Sequence, residues 1–212
     1  MVRSVAAKRI YGLLLLMALY PPGLAWSPSP TLEEAEAVVE GVYSRLPRTP
    51  TAWEGKPLEF RVERGESCLP PKGSRPVAAR VGGQLEVVEI LAERARNEFR
   101  RVRGAEVLAQ AKGFLPDGHL RVYLEVEGLP RPELREAYTL GALVGGKPVR
   151  AYRVTYLDDW REEKGGYTGT LVFYLDLSGK GVDPQGELTV IFMTEAPEDC
   201  LYAFTVPLGR FR

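Results

Sequence analysis

The spacing of apolar residues changes character several times along this chain, and each change predicts a different element. Arg3, Lys8 and Arg9 precede an apolar run from Tyr11 to Tyr20, which Pro21 and Pro22 end. About ten residues fall short of the roughly 20 that span a bilayer. Gly23 and Ala25 then offer small side chains at the spacing a signal peptidase accepts. The layout is that of a secretory leader over residues 1–25, cleaved after Ala25 so that the mature chain starts at Trp26.

Next, Leu32, Ala35, Val38, Val39, Val42 and Leu46 recur at helical spacing, with Thr31 and Glu34 as a capping-box pair and Pro47 and Pro50 beyond the far end. Residues 26–55 thus read as linker and amphipathic helix, and residues 56–212 as a single β-rich domain. Leu58, Phe60 and Val62 alternate with charged residues as a half-buried strand does. In QLEVVEILAERARNEFRRVRG, the spacing of Leu85, Val88, Ala92, Ala95, Phe99 and Val102 predicts a helix over about 85–102 that Gly104 stops. The β-branched Val87, Val88 and Ile90 leave a strand over 85–91 as the alternative. From Ala105 onward alternation takes over. A hairpin is expected around Pro116-Asp117-Gly118, followed by strands at 147–160, 166–177, 187–196 and 200–208. In the second of these, Leu171, Phe173, Leu175 and Leu177 fill one face while Val172 and Tyr174 occupy the other, as in a central strand. The expected fold is mainly β (α+β), with an antiparallel sandwich in the C-terminal half.

Composition narrows the function classes. The full chain carries 28 basic and 28 acidic side chains, and losing the leader leaves three more acids than bases. That balance gives no push toward nucleic acid. A single Asn and three Gln suit a thermophile-like chain, because amides are thermolabile. Two cysteines, Cys68 and Cys200, are expected to form a disulfide in an exported protein.

Candidate chemistry is sparse. His119 is the only histidine and adjoins the expected turn, so a triad or a His-rich metal site has little to build on. No cofactor motif is present. Asp158, Asp159, Trp160, Glu162 and Glu163 crowd one loop. Acids beside aromatics suit an ion site or sugar chemistry, but Arg161 and Lys164 also suit a solvated hairpin end. On the expected helix Arg96, Arg100 and Arg103 share a face that could meet an anionic polymer or lipid headgroups. Interleaved Glu89, Glu93 and Glu98 offer self-neutralising pairs instead.

Over about residues 105–208 the strand series is similar in texture to the immunoglobulin-like sandwiches of bacterial envelope proteins. The resulting expectation is an exported, non-enzymatic cell-envelope protein, periplasmic or extracellular, soluble after cleavage near Ala25. It acts as a binding or assembly module for an envelope protein or polysaccharide. The alternatives are a barrel carrying an apolar ligand and an exported carboxylate-dependent hydrolase.

Overall fold

The computed structural model describes residues 25–44, 48, 50–56, 61–62, 74–196 and 201–211. Among the described residues, three helices, α1 (Leu32–Tyr43), α2 (Gln84–Asn97) and α3 (Gly104–Phe114), and a 3-10 turn (Pro132–Ala137) accompany eleven strands. The strands are β1 (Ala52–Gly55), β2 (Arg61–Val62), β3 (Arg75–Gly82), β4 (His119–Leu129), β5 (Thr139–Val144), β6 (Lys147–Arg150), β7 (Arg153–Tyr156), β8 (Arg161–Glu163), β9 (Gly166–Asp176), β10 (Glu187–Met193) and β11 (Tyr202–Pro207).

Two antiparallel sheets form. The first runs β1-β3-β4-β9-β7, with β8 also on β9, and the second runs β2-β11-β10-β5-β6. Strict alternation sets their inner faces. Along β4, Leu120, Val122, Leu124 and Val126 are fully buried, while Arg121, Tyr123, Glu125 and Glu127 point the other way. Register brings Val122 opposite Phe173 and Leu124 opposite Leu171 on β9. From the second sheet, Val190, Phe192, Phe204 and Val206 enter the same core. Trp53 of the first sheet stacks on Phe204 of the second, with ring centroids 5.6 Å apart. Burying each such side chain is worth roughly 1.5–3 kcal/mol. β9 is central as its two-faced apolar pattern requires, flanked by β4 on one side and by β7 and β8 on the other. Trp26 belongs to this core as well, and its backbone N–H donates to Leu208 O at 2.8 Å.

The helices hold a second apolar cluster: Ala35, Val38, Val39 and Val42 of α1, Val87, Val88, Ala92 and Ala95 of α2, and Val107, Leu108 and Ala111 of α3. The capping box of α1 forms as expected, Glu34 N–H donating to Thr31 Oγ1 and Thr31 N–H to Glu34 Oε2. Two expectations are corrected. The second helix ends at Asn97 rather than near 102, and Phe99 is fully exposed instead of lining its apolar face. The first arm of the expected hairpin is α3, because Val107, Leu108 and Ala111 meet the other helices at helical spacing and the Ala-rich stretch favours it. Gly104 therefore starts a helix instead of stopping one, and a Cβ there would lie 2.7 Å from Glu36 of α1. The turn at Pro116–Gly118 is retained, but it joins a helix to a strand. Among the described residues no helix is long and apolar enough to cross a membrane. Residues 1–24, nearly all of the expected leader, lie outside the described residues.

Candidate functional site: a groove between helix α2 and the first sheet

Helix α2 packs on β3 of the first sheet, and Tyr174 of β9 packs against the helical cluster. Glu86, in the first turn of α2, points down onto the sheet and is completely buried. Its Oε2 accepts from Arg121 Nη2 at 2.8 Å, and its Oε1 lies 3.1 Å from Arg80 Nε. Gly82 makes room for this carboxylate, since a Cβ there would fall 2.1 Å from Glu86 Oε2. Burial lifts the Glu86 carboxyl above its usual range, against the pull of Arg121 and Arg80. The Arg121 guanidinium is held protonated by Glu86 although burial works against its charge. Tyr123 lies between the two arginines, 5.9 Å from the Arg80 guanidinium and 5.3 Å from that of Arg121. Burial pushes the Tyr123 hydroxyl up, so it remains a neutral donor across the physiological range. Arg121 Nε and Glu86 Oε1 find no aligned hydrogen-bond partner among the described residues.

One helical turn beyond Glu86, Ile90 forms the wall of an open groove of about 950 Å³, with Leu157, Ala78 and Ala79 also lining it. Ile90 and Leu157 are 41% and 43% exposed. Arg80, Arg121 and Tyr123 line it with Lys56, Glu54 and Glu125. The volume is that of a ligand or partner site, with apolar walls and a few convergent polar groups. Periodicity alone did not point here. The lining comes from outward positions of β1, β3 and β4 that antiparallel pairing brings side by side, such as Arg80 opposite both Glu54 and Tyr123.

The acidic loop is not one site. Asp159 accepts from Thr170, from its N–H at 3.0 Å and from its hydroxyl at 2.6 Å, which pins the loop to β9. Trp160 stands edge-on to Tyr156, with the Arg135 guanidinium 4.2 Å from the Tyr156 ring and 5.3 Å from Trp160. Glu163 accepts from Arg161 Nε at 2.6 Å, and this bond lowers its pKa. Asp158 and Glu162 are exposed. Among the described residues no three His, Cys, Asp or Glu side chains are placed to hold a metal ion. The three arginines do not share a helix. Arg96 lies on α2 and donates to Val42 O at 3.0 Å, Arg100 sits in the turn after it, and Arg103 caps α3. His119 Nε2 is 3.8 Å from Asp176, and the Ser178 hydroxyl bonds the same carboxylate. Asp176 thus stands between Ser178 and His119, whereas a triad needs the imidazole in the middle.

Cys68 and Cys200 lie outside the described residues. Their flanks do not. β2 pairs with β11, Val62 opposite Tyr202. Ser74 N–H donates to Glu195 Oε1 at 2.7 Å, and the Ser74 hydroxyl bonds both Glu195 Oε2 and the Tyr138 hydroxyl. This buried network, which no motif in the sequence marks, ties the start of β3 to the end of β10. No protein-family model matches this chain, and neither a curated protein nor a solved structure matches it.

Proposed function

We propose that the chain is an exported, non-enzymatic cell-envelope protein, a binding or assembly module on an immunoglobulin-like sandwich body. The sandwich reading rests on the path of the chain, which passes from β4 in the first sheet to β5 and β6 in the second, back to β7–β9, and over again to β10 and β11. The observation that carries the functional reading is the open groove beside α2. Its mixture of three cations, two acids and exposed apolar side chains suits a polypeptide partner of mixed charge. The space between the sheets is filled by Phe173, Phe192 and Phe204, which argues against a carrier that encloses an apolar ligand. Of the acids in the 158–163 loop, Asp159 and Glu163 are engaged by separate structural partners, which argues against a hydrolase that pairs them.

The test is photo-crosslinking in the exporting cell, with a photoreactive residue at position 157 and a control at position 180. A discrete envelope protein joined from 157 alone, and lost when Ile90→Lys is added, supports the groove. Equal yields from both positions overturn it. Hydrolysis of a glycan by the purified protein, abolished by Asp158→Asn, would replace the binding reading with the enzyme reading.

A further inference from the structure

Helix α2 ends in a Schellman motif. Arg100 N–H donates to Ala95 O at 2.8 Å and Phe99 N–H to Arg96 O at 3.0 Å. The motif requires a left-handed residue at the position Phe99 occupies, where glycine is usual. Phe99 has a φ of 58° and is the one non-glycine residue with positive φ among the described residues. Its ring is 99% exposed, so no contact inside the fold offsets either the backbone strain or the hydration of the ring. The turn that presents it is nevertheless built firmly. The Tyr43 hydroxyl donates to Arg100 O at 2.7 Å, and the Arg101 guanidinium lies 5.5 Å from the Tyr43 ring.

Residues 94–103 carry five arginines and one acid. Glu98 pairs with both Arg94 and Arg100, and Glu40 of α1 pairs with Arg101, so the tip keeps a net positive charge. We propose that this α2–α3 tip docks on an anionic phospholipid surface, Phe99 entering the headgroup boundary and Arg94, Arg100, Arg101 and Arg103 meeting phosphates around it. A single projecting ring offers too little apolar area for a stable protein interface, which buries about 1,200–2,000 Å² in total. A lipid surface needs no complementary pocket: the ring partitions at the interface and the arginines supply the long-range attraction. The groove lies further along α2 and is not involved, so this inference stands apart from the partner reading.

Co-sedimentation of the full chain with phosphatidylglycerol–phosphatidylcholine vesicles, and with phosphatidylcholine alone, tests it. All variants share the leader, so differences among them report the tip. Binding is expected to need the anionic lipid, to weaken with salt, and to fall about tenfold or more in Phe99→Gly and in Arg100→Gln/Arg101→Gln. Phe99→Gly is also expected to raise the melting temperature, because glycine relieves the strained position. That separates lost docking from lost folding. In Phe99→Trp the added indole emission should shift to the blue on anionic vesicles only. Equal sedimentation of wild type and both variants overturns the proposal. So does binding to soluble polyglutamate that matches vesicle binding and ignores Phe99, an outcome that assigns the arginines to an acidic polymer.

Discussion

Asp158 and Asp159 are adjacent in sequence and opposite in role. Asp159 accepts two hydrogen bonds from Thr170 and so anchors the β7–β8 loop to the central strand, whereas Asp158 is exposed at the turn. Nothing in their composition separates them; the pairing of β9 decides which one faces Thr170. Asp159→Asn keeps the shape but trades an ionised acceptor for an amide, half of which donates. It is expected to cost about 1–2 kcal/mol. Asp158→Asn is expected to stay within about ±0.5 kcal/mol, as ordinary surface changes do. Urea denaturation of the two variants side by side measures the contrast. Equal and negligible effects would mean that the Thr170 bonds contribute nothing net, and that the loop is held by Trp160 packing alone.

At the scale of elements, what was legible followed from how local the determinant is. The capping box of α1 is three residues wide, so Thr31 and Glu34 disclose it. The two-faced pattern of β9 marks a central strand wherever its neighbours come from. The end of α2 is hidden because a Phe stands where the Schellman turn calls for Gly. The helix α3 is hidden because a Pro-Asp-Gly turn follows it as readily as it joins two strands. The groove is hidden because it needs β1, β3 and β4 in register with α2. The cysteines are a different case, because both lie outside the described residues and only their flanks bear on the expected bond. Val62 pairs with Tyr202 before the first cysteine and after the second, and Ser74 bonds Glu195 on the other flanks. Both cysteine-bearing segments are thus tethered at neighbouring ends. Exported protein is expected to carry a Cys68–Cys200 disulfide, seen as a linked peptide pair under non-reducing digestion. The loop-closure model puts its contribution at roughly 4–5 kcal/mol, an upper figure, lost on reduction. Two alkylatable thiols in native exported protein would remove this crosslink from the account of stability.

Across the whole molecule, the two apolar cores meet at the Pro116–Gly118 turn, and that junction is held by carboxylates. Asp117 accepts from the Ser29 hydroxyl at 2.7 Å and from Gln84 Nε2 at 2.8 Å, joining the N-terminal segment, α2 and β4. Pro28 O accepts from Gly118 N–H beside it, and Gly118 O accepts from Leu177 N–H at the end of β9. Asp176 accepts from Ser178 at the same edge. The Ser29 and Gln84 bonds hold Asp117 below its ordinary value of 3.8, and the Ser178 bonds do the same for Asp176. A carboxyl held below its unfolded value stabilises the fold fully above that value, and the contribution disappears as pH falls through the lowered folded value. Glu86 has the opposite sign. Its carboxyl is raised by burial, so its own titration favours the fold as pH falls and does not drive acid loss. Stability is therefore expected to fall below about pH 4, by a few tenths to about 1 kcal/mol for each aspartate, because solvent screens both. Denaturant midpoints measured from pH 7 to pH 2 should show the decline. Amides at Gly118 and Leu177 should lose exchange protection before those of β10 and β11, since the junction loosens while the inter-sheet core keeps its apolar contacts. In Asp117→Asn part of the slope should vanish and the early exchange should already be present at neutral pH. An unchanged slope in that variant would place the acid sensitivity elsewhere than at this junction.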